Sequence, residues 1–281
     1  MTVPLKVGRI PYANLAPIFH FLPETCAGIE TSFIDGHPSG LNTLLRSGRL
    51  DISPNSSIEY AVAPDLYLLC PGVSIASHTR VMSVLLLSNT PLSELSGELI
   101  GVTSASDTSV ALLDILFAES LGRRSDFERT DLSPGKALEK YRACLSIGDE
   151  ALRASVDRVA AHVTDLGQWW KAETGKPFVF SLWIASRKAW ESPQKEPLGR
   201  FCAALLESKR MAKESISNGR YPWGGPEWMP AKLKEEYWNC LSYDLDDELE
   251  GLALFYRLAE KYGLIPFAPP LRFLEPARHG A

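Results

Sequence analysis

The sequence lacks the features that mark several large classes of protein. Its apolar runs, such as Val81 to Leu87, are far shorter than the roughly 20 residues that a helix needs to cross a bilayer. Lysine and arginine form no run and the net charge is -5, so charge gives no support for nucleic acid binding. The amino-terminal Met-Thr-Val-Pro-Leu-Lys lacks the layout of a signal peptide. We therefore expect a cytoplasmic protein without nucleic acid or membrane partners.

Recognisable catalytic motifs are missing too. The sequence has no Walker phosphate loop, no dinucleotide-binding glycine pattern and no Gly-x-Ser-x-Gly nucleophile motif. Its five histidines are dispersed and lack the spacing of metal ligands. Its five cysteines are scattered, which is typical of unpaired thiols in a reducing cytoplasm. The sequence therefore carries none of the common nucleotide, hydrolase or metal-site motifs.

What the sequence does contain is a repeated alternation of strand and helix patterns. A chain of 281 residues, 45% of them hydrophobic, is long enough for two lobes. Strand and helix patterns alternate from residue 3 to about residue 62 and again after about residue 90. This alternation predicts an α/β fold with parallel sheets flanked by helices.

Two further apolar strands, Val81 to Ser88 and Pro177 to Ala185, predict a pair of hinge strands that join two lobes. We place residues 1–88 and 178–281 in the first lobe and residues 89–177 in the second. The ligand is then expected in the cleft between the lobes, where hinge closure can exclude water.

The first strand-to-helix turn, Val7-Gly-Arg-Ile-Pro-Tyr-Ala-Asn-Leu-Ala-Pro17, has a pattern typical of a ligand site. A strand that turns directly into a helix brings polar groups to the carboxyl edge of a sheet, where α/β proteins bind small ligands. Asn14 lies at this turn, and its amide can both donate and accept a hydrogen bond. The sequence leaves open whether Asn14 contacts a ligand or caps the following helix.

Two hydroxyl-rich loops precede predicted helices, Ser53 to Ser57 in the first lobe and Ser104 to Ser109 in the second. A helix amino end offers free N–H groups and a partial positive charge, which suit a carboxylate. One such end on each side of the cleft would hold a ligand with two acidic groups. The hydroxyls could equally be simple helix caps, their commonest use at such positions.

Two single residues are further candidates. Ser83 interrupts an apolar strand, so its hydroxyl either faces a cavity or bonds to nearby backbone. Asp149 follows a predicted strand, so it either caps the next helix or faces the cleft. Together with Ser56 and Ser57 of the first hydroxyl-rich loop, Asp149 is a predicted substrate contact.

Seven motifs occur in a characteristic order and together cover nearly the whole chain. Besides the first turn they are Gly48-Arg-Leu-Asp-Ile-Ser-Pro-Asn-Ser-Ser-Ile-Glu-Tyr-Ala61, Val81-Met-Ser-Val-Leu-Leu-Leu-Ser88, Ser106-Asp-Thr-Ser109, Ile147-Gly-Asp-Glu-Ala-Leu152, Asp165-Leu-Gly-Gln-Trp169 and Thr174-Gly-Lys-Pro-Phe-Val-Phe180. In order and spacing the chain resembles the chorismate dehydratase family, which acts in the futalosine route to menaquinone (vitamin K2).

This resemblance implies a two-lobed fold like that of type II periplasmic binding proteins. It also implies a hydro-lyase activity, in which chorismate loses water to give 3-[(1-carboxyvinyl)oxy]benzoate, with no metal or organic cofactor required. Asn14 and Ser83 match the family's active-site positions, and Ser106, Thr108 and Ser109 fit its substrate-carboxylate pocket. Because the motif loops lack His and Lys, we expect a carboxylate of the substrate to serve as the base.

Two alternatives stay open. The dihydroxynaphthoate synthases of the same route share the fold, but they carry a Cys-Pro-Asn-Asp-Thr-Phe pattern and use a histidine, whereas this chain has Pro-Tyr-Ala-Asn-Leu-Ala-Pro. A cytosolic dicarboxylate-binding protein without catalysis is the other alternative, since a fold does not fix a function. In each case the partner is a small molecule, and we expect a monomer or a homodimer.

Overall fold

The strands of the protein form two five-stranded sheets within the residues that the structure describes. The structure, a computed structural model, describes residues 3–122 and 124–275. The strands are β1 (Leu5–Arg9), β2 (Thr31–Asp35), β3 (Ile52–Ser56), β4 (Tyr67–Ser77), β5 (Val84–Ser88), β6 (Leu99–Thr103), β7 (Asp126–Thr130), β8 (Ala143–Ile147), β9 (His162–Asp165) and β10 (Phe178–Ser186).

Helices follow most of these strands. They are α1 (Ala16–Thr25), α2 (Pro38–Arg46), α3 (Ser57–Val62), α4 (Asp107–Leu121), α5 (Pro134–Lys140), α6 (Gly148–Val156), α7 (Leu166–Thr174), α8 (Arg187–Trp190), α9 (Lys195–Ser217), α10 (Ala231–Cys240) and α11 (Glu248–Lys261). Short 3-10 turns span Pro64–Leu66 and Leu92–Glu94. In the described ranges, no helix combines the length and the apolar character needed to cross a membrane.

Each of the two sheets combines parallel and antiparallel strands in the same arrangement. The first has the strand order β2-β1-β3-β10-β4 and the second β7-β6-β8-β5-β9. In the first, β1 runs parallel to β2 and β3, while β10 is antiparallel to β3 and β4. In the second, β6 runs parallel to β7 and β8, while β5 is antiparallel to β8 and β9. The predicted α/β class is confirmed. The strands of each β-α alternation are parallel, as predicted, and β5 and β10 are the strands that make the sheets mixed.

The antiparallel strands are those that follow a crossing between the sheets. The chain leaves the first sheet after Ser77 and enters the second at Val84; it returns after α7 and re-enters the first sheet at Phe178. Each entering strand runs against its neighbours because the chain arrives from the other sheet. The connecting segments are residues 78–83 and 175–177. Of the two predicted hinge strands, the first therefore pairs in the second sheet and the second in the first sheet.

The division into lobes of residues 1–88 with 178–281 and residues 89–177 remains a prediction. The sheet topology assigns β5 to the second sheet although the prediction placed it in the first lobe. Residues 1, 2 and 276–281 of this division lie outside the described residues.

The segment expected to be the first hydroxyl-rich loop is a buried strand. Residues Ile52–Ser56 form β3, and all five are buried. Their composition, Ile-Ser-Pro-Asn-Ser, disfavours a strand. Tertiary pairing overrides that preference, because β10 pairs with β3 from Ser181 opposite Ser56 to Ala185 opposite Ile52. The strand thus carries its hydroxyls directly to the start of α3, at the edge of the sheet that faces the cleft.

Candidate active site

Residues from both sheets line a cleft with a narrow inner part and a wide outer part. The inner pocket has a volume of about 50 Å³, and the outer cleft has a volume of about 1020 Å³. Tyr12 and Ile147 line both and so mark their boundary. The polar residues lining the inner pocket are Tyr12, Asn14, Ser56, Ser83, Ser106, Ser109 and Ser181.

Asn14 lies in the inner pocket and does not cap a helix. The N-cap position of α1 is Leu15, without a side-chain capping bond. The Asn14 side-chain oxygen is buried and has no hydrogen-bond partner among the described residues. A buried polar atom without a partner costs free energy unless a bound molecule satisfies it. The capping alternative is therefore excluded, and contact with a ligand remains the prediction for Asn14.

Three hydrogen bonds fix the backbone around Asn14. The indole N–H of Trp238 donates to the Ala13 carbonyl at 2.8 Å, and the Tyr243 hydroxyl donates to the Asn14 carbonyl at 2.9 Å. From the second sheet's side, the Asp149 carboxylate accepts the Ala13 N–H at 3.0 Å. Because the backbone is held on both sides, the Asn14 side chain is preorganised towards the inner pocket.

Ser83 reaches the same pocket from the end of the first crossing segment. Its hydroxyl is buried, 3.0 Å from the Tyr237 hydroxyl and 3.4 Å from the Val81 carbonyl. Its carbonyl accepts the Gly148 N–H at 2.7 Å. Gly148 has a φ of +65°, and a Cβ there would lie 3.1 Å from the Tyr12 ring. Glycine therefore allows α6 to begin in close contact with both Ser83 and Tyr12.

The hydroxyls of the two serine-rich segments divide between the pocket and the backbone. Ser56 is buried at the start of α3, yet its oxygen makes no capping bond and has no partner in the part of the chain described. Ser106 caps α4, because its oxygen accepts the Ser109 N–H at 3.2 Å, and its hydroxyl lies 3.0 Å from that of Ser109. The capping interpretation thus applies to Ser106 but not to Ser56. All three residues line the inner pocket.

Ser57 and Thr108, both predicted substrate contacts, instead join α3 to α4. Both are fully buried. The Ser57 hydroxyl donates to the Val179 carbonyl at 2.7 Å and lies 3.3 Å from the Thr108 hydroxyl, which accepts the Ile58 N–H at 3.0 Å. Neither residue lines the inner pocket. Neighbouring side chains point about 100° apart on a helix and to opposite faces of a strand, so only part of each predicted serine and threonine cluster can face one cavity.

Asp149, the remaining predicted substrate contact, lines the outer cleft. It does not cap α6, because Ile147 is the N-cap and the Asp149 carboxylate bonds to Ala13 instead. Burial raises the pKa of the Asp149 carboxyl, and the hydrogen bond from Ala13 partly opposes that shift. Its observed contact is with the loop that carries Asn14, so its geometry is that of a positioning group.

The inner pocket holds almost no acid–base chemistry of its own. Among the residues that line it in the described chain, only Tyr12 is ionisable. Burial and the nearby carboxylates of Asp149 and Glu150 raise the pKa of Tyr12 to about 12. Tyr12 therefore stays neutral near pH 7. Within residues 3–122 and 124–275, no group of three or more His, Cys, Asp or Glu residues is arranged to hold a metal ion.

The inner pocket is narrow in this structure. Its volume of about 50 Å³ is well below the roughly 300–1,000 Å³ of typical small-molecule sites. Contacts that span the two sheets include the bond from Ala13 to Asp149 and the bond from the Ser39 N–H to the Ala105 carbonyl at 3.1 Å. The inner pocket of this structure is therefore smaller than a ligand of ordinary metabolite size, whereas the outer cleft that adjoins it is large enough for one.

Three residues that support the site were missed from the sequence. Tyr237, Trp238 and Tyr243 lie on or just after α10, in a region for which no helix was predicted. Each is buried and uses its polar atom to hold Ser83, Ala13 or Asn14. Buried Tyr and Trp residues usually need such a partner. The close spacing of three large aromatics with polar atoms was the one signal available, but the sequence does not say which residues they meet.

Comparison with known proteins places the chain in a family. The model of a family described as menaquinone biosynthesis matches residues 5–261. A chorismate dehydratase from Thermus thermophilus is 31% identical over 291 residues, covering 95% of this chain and 97% of that protein. The match therefore includes every residue of the inner pocket and of the elements that support it.

Solved structures show the fold. A protein from Archaeoglobus fulgidus matches with a TM-score of 0.73 at 19% identity, covering 93% of this chain and 98% of that one. A Candida albicans protein, described as having the generic periplasmic binding protein fold, matches with a TM-score of 0.69 at 12% identity, covering 95% and 92%. The expected two-lobed fold of this type is confirmed.

Proposed function

Because the chain belongs to the menaquinone biosynthesis family, we propose that it is a chorismate dehydratase, a hydro-lyase of the futalosine route. It converts chorismate to 3-[(1-carboxyvinyl)oxy]benzoate and water. Beyond the family match, the lining of the inner pocket supports this proposal. Its described residues offer one amide and several hydroxyls, and the ionisable group among them is Tyr12, which is neutral near pH 7.

Such a lining suits a substrate that brings its own charge and its own base. Chorismate carries a ring carboxylate and an enolpyruvyl carboxylate. Loss of its ring hydroxyl and one ring hydrogen forms an aromatic ring, so the reaction has a large driving force. In the proposed mechanism a carboxylate of the substrate accepts the ring proton, and the C–H electron pair forms the new ring double bond as the ring C–O bond breaks. The hydroxyl leaves as water with the proton that the carboxyl group returns, and the protein supplies orientation in a pocket from which water is excluded.

The proposed roles of the residues follow from their positions. Asn14 orients the leaving hydroxyl or a substrate carboxylate, and Ser83 donates a hydrogen bond beside it. Ser106 and Ser109, at the amino end of α4, hold a carboxylate with the help of the partial positive charge of that helix end. Ser56 offers the pocket a further hydroxyl that bonds to nothing else in the described chain.

The remaining predicted contacts act on the frame of the site. Asp149 holds the Asn14 loop through Ala13, and Ser57 and Thr108 keep α3 against α4. We also propose a cytoplasmic location, which the five cysteines support because all of them are unpaired.

The function is tested by incubating the purified protein with chorismate, without added metal or cofactor, and following the products by chromatography with mass detection. We expect a product lighter by one water. Unchanged chorismate together with ligand-induced thermal stabilisation would favour a binding protein instead. Unchanged chorismate without stabilisation would direct the assay to the substrate of the naphthoate synthase.

The pH dependence of turnover tests the source of the base. Substrate carboxylates ionise at about pH 3–4, and none of the described residues that line the inner pocket is a histidine, so we expect kcat to vary less than about twofold between pH 6 and 10. Activity should fall below about pH 4 because the accepting carboxylate becomes protonated. A change in kcat centred near pH 6.5 would instead indicate a histidine. His37 would then be the first residue to replace, because its ring nitrogen lies 3.0 Å from the Tyr12 hydroxyl.

A further inference from the structure

The hydroxyl of Tyr237 is buried behind the inner pocket and faces one of its polar residues. Tyr237 lies on α10 and is completely buried. Its oxygen is 3.0 Å from the Ser83 oxygen, and within the described residues it has no other hydrogen-bond partner. The phenol does not itself line the inner pocket. Any effect of Tyr237 on a bound substrate therefore passes through Ser83.

The direction of this hydrogen bond follows from what each group can donate. A tyrosine has one hydroxyl proton, and in the described part of the chain the acceptor beside it is the Ser83 oxygen, so Tyr237 donates and Ser83 accepts. Burial raises the pKa of Tyr237 well above its usual value, so the phenol keeps that proton. The Ser83 oxygen has then received one hydrogen bond and still carries a proton of its own.

The Ser83 proton has only one acceptor within the described protein. The Val81 carbonyl lies 3.4 Å from the Ser83 oxygen, beyond the usual range of an O–H···O hydrogen bond of about 2.5–3.0 Å. The alternative direction is into the inner pocket, which Ser83 lines. A hydroxyl that accepts one hydrogen bond also donates a stronger one, because chains of hydrogen bonds polarise one another.

We propose that Tyr237 is a positioning residue that fixes Ser83 as a hydrogen-bond donor towards the substrate. This inference rests on the proposed dehydratase function and assigns to Ser83 a direction, as donor rather than acceptor. The oxygen that receives its proton is the leaving hydroxyl or a carboxylate of chorismate. Both gain from a donor that is already oriented when the substrate arrives.

The test is a double-mutant cycle between Tyr237 and Ser83. We expect Tyr237→Phe to lower kcat about 10-fold and Ser83→Ala to lower it about 100-fold, since oriented donors contribute on this scale. In Tyr237→Phe/Ser83→Ala, kcat should stay within about twofold of Ser83→Ala alone, because the phenol acts only through the serine. A Tyr237→Phe enzyme with wild-type kcat, or a double variant whose losses multiply, would overturn the proposal.

A matched control separates positioning from support of the fold. Tyr256 is also fully buried, and its hydroxyl donates to one backbone carbonyl, that of Ser57, at 2.6 Å. Tyr256→Phe removes a buried hydroxyl in the same way, so we expect the melting temperature to fall about as far as in Tyr237→Phe, by roughly 2–6 °C. Only Tyr237→Phe should lose kcat. An equal loss of kcat in both variants would show that Tyr237 serves the fold alone.

The double-mutant cycle can also be measured if the wild-type protein binds chorismate without turning it over. If it binds chorismate without conversion, the proposed function fails, and the same cycle is measured with the dissociation constant. If the double variant then binds chorismate about as weakly as Ser83→Ala alone, the assignment of Ser83 as a donor is supported. If the effects of the two substitutions on the dissociation constant multiply, the assignment is overturned. If chorismate does not bind at all, the inference falls together with the function on which it rests.

Discussion

Replacing Asn14 with alanine is expected to lower kcat for chorismate dehydration by about 10²–10³-fold, the loss typical when one preorganised polar contact to developing charge is removed. The reason is that the Asn14 side-chain oxygen is buried in the inner pocket without a partner in the described protein. The surrounding backbone is held by Trp238, Tyr243 and Asp149. Because this side-chain oxygen has no partner among the described residues and the backbone around it is held by three hydrogen bonds, we expect it to contact the ligand.

The same geometry predicts that Asn14→Ala leaves the fold intact. Since the side-chain oxygen gives up no hydrogen bond within the described protein, we expect the substitution to change the free energy of unfolding by less than roughly 0.5 kcal/mol. Asn14→Asp keeps the shape but places a negative charge against a dicarboxylate, so its kcat/KM should also fall. The measurement is steady-state kinetics beside a thermal melt.

Asn239→Ala is the matched control for Asn14. The Asn239 amide donates to the Tyr221 hydroxyl at 3.2 Å and to the Glu235 carbonyl at 2.8 Å on an exposed face of α10. This variant should retain the wild-type kcat. An Asn14→Ala enzyme whose kcat stays within threefold of the wild type would remove Asn14 from the mechanism, whatever the control shows.

The elements that could be predicted from the sequence are those that bury one face or are buried on all sides. The apolar spacing predicted a strand through Val3, Leu5 and Val7, a strand from Ala143 to Ile147, and helices from Leu198 to Ser217 and from Asp244 to Tyr262. These predictions lie close to the observed β1, β8, α9 and α11, because such spacing matches one structure only. The strands β7 and β9 were missed. Both are edge strands of the second sheet and are largely exposed, so they carry no apolar run that could reveal them.

Five of the predicted site residues line one pocket, and their contact with the substrate stays a prediction. Asn14, Ser56, Ser83, Ser106 and Ser109 come from segments far apart in the chain and meet in one pocket, as the cleft between two lobes predicts. Which hydroxyl of a cluster faces the pocket depends on a rotation of about 100° per helical residue, and on the exact start of each helix. Element boundaries are what sequence patterns determine least well.

The supporting contacts could not be predicted, because each joins residues that are distant in the chain. Asp149 meets Ala13, and Tyr237 meets Ser83, across 136 and 154 positions respectively. Periodicity describes the face that a residue occupies, whereas these bonds depend on where two faces finally meet. A buried Tyr, Trp or Asp in the sequence therefore predicts that a partner exists but not which residue it is.

Replacing Asp165 with alanine is expected to destabilise the protein and to displace Ser83. The Asp165 carboxylate caps α7 by accepting the Gln168 N–H at 3.0 Å. It also accepts the N–H groups of Val81 at 3.1 Å and Met82 at 2.6 Å in the first crossing segment. Losing the cap and two charge-assisted bonds should cost about 3–5 kcal/mol, which lowers the melting temperature by roughly 6–15 °C.

The loss of activity has a separate cause in the backbone. Met82 has a φ of +63°, a left-handed conformation that a residue other than glycine adopts only when its surroundings hold it there. A Cβ on Gly167 would lie 3.1 Å from the Val81 nitrogen, so α7 and the crossing segment are in close contact. Without the carboxylate Met82 can relax, and Ser83, the next residue, moves away from Tyr237 and the substrate.

Two further variants test this prediction, a conservative replacement of Asp165 and a control at an exposed carboxylate. Asp165→Asn retains one acceptor oxygen, so its losses of melting temperature and kcat should both be smaller than those of Asp165→Ala. Asp157→Ala removes an exposed carboxylate that pairs with Arg153 at 2.7 Å, and it should cost at most about 1 kcal/mol with kcat unchanged. If Asp165→Ala, assayed well below its melting temperature, turned chorismate over at the wild-type rate, the crossing segment would not be what holds Ser83 in place.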